Sequence, residues 1–165
     1  MRGRLRGITL IELHIVIAIM AALLTLSVPS FTDKVGEWRS RAQAMRLLSA
    51  INLARSRAVR LDREIILCPG ENPASACSGS YSHGFSVING IGEIIRHYPE
   101  RRKIVVWNSA GTREENRPLS WRGDGWGSRN MSWLFCPESG RVHWAVVVNR
   151  LGRPRLVQGW GTCPN

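Results

Sequence analysis

The sequence predicts an α+β fold, a long N-terminal helix packed on an antiparallel β-sheet. Three observations predict it. Residues 8–28 read ITLIELHIVIAIMAALLTLSV, a 21-residue apolar run broken by Glu12 and His14. Apolar residues then recur at three- and four-residue spacing as far as Leu61, the period of an amphipathic helix. Beyond residue 68 glycine and proline concentrate, and short β-forming runs alternate with turn residues. The chain has 165 residues, 44% of them hydrophobic and 21% charged, enough for one packed domain with an extension and too apolar for general disorder.

The apolar run is long enough to span a bilayer as a helix. It follows the basic leader MRGRLRG, whose Arg2, Arg4 and Arg6 favour a cytoplasmic N-terminus. A cleaved secretory signal would end its apolar core sooner, at a small-residue site. The expected element is therefore a membrane anchor, with residues 1–7 as leader and 8–29 as the spanning helix. Glu12 costs about 2.5–3.5 kcal/mol inside a bilayer, so it is a functional candidate.

An amphipathic helix is expected over residues 30–63. Its apolar stripe runs through Phe31, Val35, Trp38, Ala42, Met45, Leu48, Ile51, Ala54, Ala58 and Leu61. Arg39, Arg41, Arg46, Arg55, Arg57, Arg60 and Arg63 lie between them as a solvated face. Together the two segments would make a helix of roughly 80 Å at 1.5 Å per residue. Residues 64–165 read as a β-domain. Strands are expected at Glu64–Cys68, Phe85–Ile88, Ile91–Ile95, Lys103–Trp107, Met131–Cys136, His143–Asn149 and Arg155–Gln158, six or seven in one sheet. Asn89-Gly90 reads as a two-residue hairpin turn. Gly111–Asn130 reads as a long loop or ragged hairpin.

Charge narrows the function. Lysine and arginine number 23 against 12 acids, a net of +11, and only Lys34 and Lys103 are lysines. An arginine excess suits phosphate contacts and favours an anionic partner, nucleic acid or a lipid surface. No nucleophile motif is present, His97 and His143 have no evident partner, and Glu114-Glu115 is the sole adjacent acid pair. Gly123-Asp124-Gly125-Trp126-Gly127 lacks the strand-and-helix context of a phosphate loop and reads as a turn. No catalytic role, no cofactor and no metal site are expected; there is no C-x-x-C pair, and His83 and His143 lack ligand spacing.

Gly7-Ile8-Thr9-Leu10-Ile11-Glu12, followed by the apolar run, resembles the N-terminus of type IV pilins and pseudopilins. The resemblance implies that a prepilin peptidase cuts between Gly7 and Ile8 and methylates Ile8. It also implies that Glu12 helps assemble subunits into a filament, and Pro29 matches the helix kink of the family. Loss of Arg2, Arg4 and Arg6 would leave 20 basic and 12 acidic side chains, a net of +8. The implied location is the inner membrane, as a single-pass protein with a periplasmic domain, and the pilus surface after assembly.

The run LSAINLARSRAVRLDREIILCP, Leu48 to Pro69, resembles the GspH/FimT-type minor pilins and pseudopilins. So do the strand ending at Cys136, the Val-Val-Val-Asn strand, Gly152-Arg153-Pro154-Arg155 and the terminal Cys163. The Gly-Arg-x-Arg element is closest to the FimT branch, which implies binding of double-stranded DNA in natural transformation. The alternative is a purely structural minor pilin or a type II secretion pseudopilin. The partners implied are double-stranded DNA, other pilin subunits, prepilin peptidase and the inner membrane.

The residues of the last segment carry the DNA reading independently. From Ser139 to Asn165, 27 residues, there are Arg141, Arg150, Arg153 and Arg155 and no acid. A turn at Gly152 would gather Arg150, Arg153 and Arg155, and Pro154 would stiffen it. Such a cluster binds phosphates without reading bases. Arg101-Arg102-Lys103 is a second basic run that could extend the footprint. Four cysteines in a periplasmic domain point to disulfides. Three pairings are possible; Cys68–Cys77 with Cys136–Cys163 is preferred, the first closing a Pro/Gly/Ser loop and the second tying the tail to a strand. Trp38, Trp107, Trp133 and Trp144 are expected in the core or on sheet faces, and Trp121, Trp126 and Trp160 in glycine-rich loops with greater exposure.

Overall fold

The computed structural model describes residues 9–71, 77–101, 104–137 and 143–164; side chains at 24–30 lie outside that description. A single helix, α1, runs from Leu10 to Leu61. Its start is a capping box: the Thr9 hydroxyl accepts the Glu12 N–H, and the Glu12 carboxylate accepts the Thr9 N–H. Its end is Asp62, which turns into the left-handed region at φ 48° and donates its N–H to Ala58 O. Among the described residues eight strands follow: β1 (Ile65–Pro69), β2 (Gly84–Asn89), β3 (Ile94–Pro99), β4 (Ile104–Trp107), β5 (Leu119–Trp121), β6 (Met131–Pro137), β7 (Trp144–Val148) and β8 (Pro154–Gln158). A short 3₁₀ turn, Tyr81–His83, precedes β2.

The α+β class holds, but the sheet is divided. Strands form two four-stranded antiparallel sheets, ordered β3-β2-β1-β5 and β4-β6-β7-β8. The expected single sheet of six or seven strands lacked β5. That strand is only three residues long, between Pro118 and Arg122-Gly123, too short to show an alternation. Leu119 pairs with Leu67 of β1, which puts the side chains of Leu119 and Trp121 in the core. The β2–β3 hairpin also departs from expectation. Its turn is not a two-residue one at Asn89-Gly90. Gly92 N–H donates to Asn89 O, Gly92 takes φ 87°, and β3 starts three residues later than expected. This is a type I turn closed by a left-handed glycine, with Ile91 exposed at its tip.

One core joins the helix to both sheets. Leu47, Ile51, Ala54 and Ala58 of α1 meet Ile65, Leu67 and Val87 of the first sheet and Trp133, Phe135 and Val146 of the second. The buried seam of the helix is Gly36, Ser40, Ala44, Leu47, Ala50, Ile51, Ala54 and Ala58. In its first half this is not the expected stripe. Trp38 is 68% exposed, and Phe31, Ala42 and Met45 are exposed too, as is Leu61 at the far end of the stripe. Hydrophobicity misses the seam there because the seam is made of small residues. Gly36, Ser40 and Ala44 let the sheet approach the helix backbone, and Ser40 spans the gap with two bonds. Its hydroxyl donates to Phe135 O and accepts the Trp144 N–H.

Below that seam the helix stands alone. Leu10, Ile11, Leu13, Ile15, Val16, Ile17, Ile19, Met20 and Leu23 are all exposed around the whole circumference. Among the described residues no helix is long and apolar enough to cross a membrane; the apolar run of the sequence also takes in Ile8 and residues 24–28, whose side chains are not described. The helix runs on through Pro29.

Candidate nucleic-acid interface

The C-terminal hairpin joins β7 to β8, with Val148 opposite Pro154 and Val147 opposite Arg155. Its turn is built on Asn149. Gly152 N–H donates to Asn149 O at 2.9 Å, and Arg153 N–H donates to Asn149 Oδ1 at 3.2 Å. Gly152 sits at φ 73° and is buried. Arg150 and Leu151 form the exposed tip, Arg153 is exposed just before the outgoing strand, and Arg155 is exposed on it. On β8 Arg155 faces away from the core, since Leu156, one position on, packs inward.

What holds this turn still is the end of β5 and the segment that follows it. Trp121 Nε1 donates to Gly152 O at 3.3 Å, and Gly127 N–H donates to Arg150 O at 3.0 Å. A Cβ on Gly152 would lie 2.3 Å from Gly125 O and 2.8 Å from the Trp121 ring. Gly125 is braced from behind by α1, where Arg55 Nε donates to its carbonyl at 3.2 Å. The sequence reading missed this scaffold. Trp121, expected in an exposed loop, is completely buried beneath the hairpin. A cue was available: Asn-x-x-Gly recurs at 89–92, 108–111 and 149–152, and each time the glycine N–H bonds the asparagine carbonyl. The Trp126 and Trp160 side chains are exposed, as expected for glycine-rich loops.

The tail returns over the outer face of the second sheet. Cys163 bonds Cys136 of β6, and Cys68 bonds Cys77. Gly161 lies against Leu134, while Ala145 and Trp107 share the small cluster around the Cys136–Cys163 bridge. His143 Nε2 lies 3.1 Å from Trp160 O.

Arg101 is elsewhere. It lines an open cleft of about 580 Å³ with Arg39, Ala42, Gln43, Arg46, Glu100 and Ile104. Arg46 lies over the Phe85 and Tyr98 rings, and burial, with Arg101 as a second cause, lowers its pKa from the usual value. At about 100° per residue, Arg39 and Arg46 fall on one flank of α1, and Arg55 and Val59, which touch Gly125, fall on the other. The cleft therefore lies across the helix from the hairpin. Arg102, Lys103, Gly7, Ile8 and Arg141 lie outside the described residues. Glu12 is exposed in the single chain and engaged in its capping box.

A buried ion pair and a buried tyrosine lie beneath the first sheet's edge strand β5 and the 3₁₀ turn. Glu115 is buried, and Arg117 grips it twice, Nε to Oε1 at 2.9 Å and Nη2 to Oε2 at 2.7 Å. That grip holds the Arg117 pKa above its ordinary value. Burial, with the Glu115 charge second, pushes the Tyr81 hydroxyl well up; it donates to backbone carbonyls of Leu67 or Arg117. Among the described residues no group of three or more His, Cys, Asp or Glu side chains could hold a metal ion.

The family model of the type II transport protein GspH matches residues 43–152, from the buried half of α1 to the hairpin glycine. The chain belongs to the GspH family. Its fold is shared with the type IV minor pilin FimU of Pseudomonas aeruginosa, at TM-score 0.56 and 17% identity, covering 72% of this chain and 88% of that one. It is also shared with the minor pseudopilin EpsH of the Vibrio cholerae type 2 secretion system, at TM-score 0.53 and 9% identity, covering 72% and 95%. No curated protein matches the chain in sequence. This GspH-family chain is thus a subunit of the minor pilin and pseudopilin class, and its family points to other pilin subunits as partners.

Proposed function

We propose that the chain is a minor pilin that binds extracellular double-stranded DNA without sequence preference, for uptake in natural transformation. In this reading, prepilin peptidase removes residues 1–7, residues 8–29 anchor the subunit in the inner membrane, and Glu12 acts in filament assembly. The observation that carries the DNA reading is the locked turn at Gly152. It presents Arg150, Arg153 and Arg155 on a fixed frame, with no acid from Ser139 to the C-terminus. Fixing the turn beforehand lowers the entropy lost when the arginines engage phosphates. Three phosphate contacts per subunit give weak binding, and several subunits along a filament would add avidity.

The test is a gel shift with random-sequence duplex at two salt concentrations. Three neutralised phosphates give a slope of log K against log salt of about −2.7. Arg153→Gln with Arg155→Gln should remove most binding to every duplex while leaving thermal stability nearly unchanged. If the double variant binds like wild type, the hairpin is a solvated loop. The second reading, a structural pseudopilin of a type II secretion system, is favoured by the GspH match itself and by the likeness to EpsH. It predicts no duplex binding at all.

A further inference from the structure

The loop between β5 and β6 holds an exposed indole in a rigid frame beside the hairpin arginines. Gly125 N–H donates to Arg122 O at 2.8 Å, and Arg122 N–H donates to Trp126 O at 3.1 Å. Trp126 N–H donates to Asp124 Oδ1 at 2.9 Å, and Ser128 N–H donates to Ser120 O at 2.9 Å. The loop is fixed at its sides by Arg55 and by the Arg150 carbonyl. Within this frame the Trp126 side chain remains 48% exposed. An indole is among the largest apolar surfaces that a core could use. A rigid loop that leaves one half in water gives up that burial.

The surroundings are mainly cationic, although the Asp62 carboxylate lies against Gly123 at the start of the loop. Arg150, at the exposed hairpin tip, is bonded through its carbonyl to Gly127, the neighbour of Trp126. On the other side Arg55 and Arg60 line an open groove of about 670 Å³ with Asn52, Ser56 and Val59, and Val59 and Arg55 lie against Gly125. The one acid of the loop, Asp124, is engaged by Arg122. An exposed indole on a loop whose flanking residues, Gly125 and Gly127, contact Arg55 and Arg150 suits one ligand chemistry: a nucleotide strand with a free base face and flanking phosphates. A blunt duplex does not offer it internally, because its bases already stack on one another.

We propose that Trp126 is a base-stacking platform, so that this face prefers single-stranded DNA, with the Trp126 indole on an unpaired base and Arg150, Arg153 and Arg55 on the adjoining phosphates. The inference rests on the DNA reading of the hairpin and names the part of the nucleic acid that the site reads best. A filament contact through the same indole is the competing use, and it predicts no dependence on nucleic acid.

The mature full-length protein in detergent micelles is titrated against a labelled single strand and the blunt duplex of the same sequence. Wild type should bind the single strand more tightly and show quenched tryptophan emission on doing so. Trp126→Leu should lower the ratio of single-strand to duplex affinity about 5- to 100-fold, the effect of removing one base–aromatic stack, and abolish the quenching. Trp126→Phe should restore most of the ratio. Arg153→Gln with Arg155→Gln should weaken both ligands together. A Trp126→Leu protein with the wild-type ratio overturns the platform while duplex binding by wild type keeps the hairpin reading intact. If wild type binds neither ligand, both readings fall.

Discussion

Replacing Gly152 by alanine tests whether the arginine hairpin is clamped or merely attached. Two separable costs arise. The φ of 73° places an L-residue in the left-handed region, worth about 1–2 kcal/mol. The new Cβ would also lie 2.3 Å from Gly125 O and 2.8 Å from two atoms of the buried Trp121 ring. Neither neighbour can yield cheaply: one is backbone braced by Arg55, the other is an indole sealed in the core. The hairpin must lift, which strands the Trp121 Nε1–H bond and the Gly127 N–H bond, at about 1 kcal/mol each. The expected loss is therefore about 3–4 kcal/mol in urea unfolding, and duplex affinity falls with it because Arg150 and Arg153 lose their frame. Gly92→Ala is the control. Its φ of 87° carries the same backbone strain, but nothing lies within 4 Å of its Cβ, so it should lose only about 1–2 kcal/mol and leave DNA binding intact. Equal losses for the two alanine variants would refute the clamp.

Arg117→Ala leaves the buried Glu115 carboxylate without its two-pronged partner. Thermal or urea unfolding should show a loss of about 3 kcal/mol, the low end for a broken buried pair because water reaches the Arg117 side. Denatured, unreduced protein should react with no thiol reagent, and Cys136→Ser with Cys163→Ser should lose about 2–4 kcal/mol along with order in the tail at Gly161. Asp124 has its carboxyl held below the usual value, first by the Trp126 N–H and then by Arg122. Its stabilisation of the loop is thus complete above the ordinary aspartate range and is lost as pH falls through the lowered value. The Trp126 amide resonance should follow that titration in wild type and not in Asp124→Asn.

Much of this architecture was legible in the residues. The helix length, its end near Leu61, seven of the eight strands and the exposed hairpin arginines follow from periodicity, turn chemistry and charge. The misreadings share a physical cause, that burial between elements need not be hydrophobic along any one of them. Ser40 and Gly36 are in the seam because they are small, while Trp38 is out of it although it is large and apolar. Trp121 sits among arginine and glycine, yet a three-residue pairing with β1 carries it into the core. The clamp on Gly152 joins residues about thirty positions apart, and no local pattern announces such a contact.

The division of the helix suggests why the hairpin clamp needs both sheets. The upper half of α1 supplies the seam on which the first and second sheets meet, and Arg55 reaches from it to Gly125. β5 belongs to the first sheet, and the hairpin belongs to the second. The bond from Trp121 to Gly152 therefore crosses between sheets, and the bond from Gly127 to Arg150 ties the β5–β6 loop to the hairpin. Any change that opens the seam should slacken these bonds before it melts either sheet, because each sheet keeps its own ladder. Ala54→Leu would add volume to a completely buried position against the sheets, with an overpacking cost of about 1–3 kcal/mol. Its mark should be weakened duplex binding while the strand ladders keep their amide protection. If the ladders and the duplex affinity fail together, the two sheets act as one unit and the clamp has no separate role.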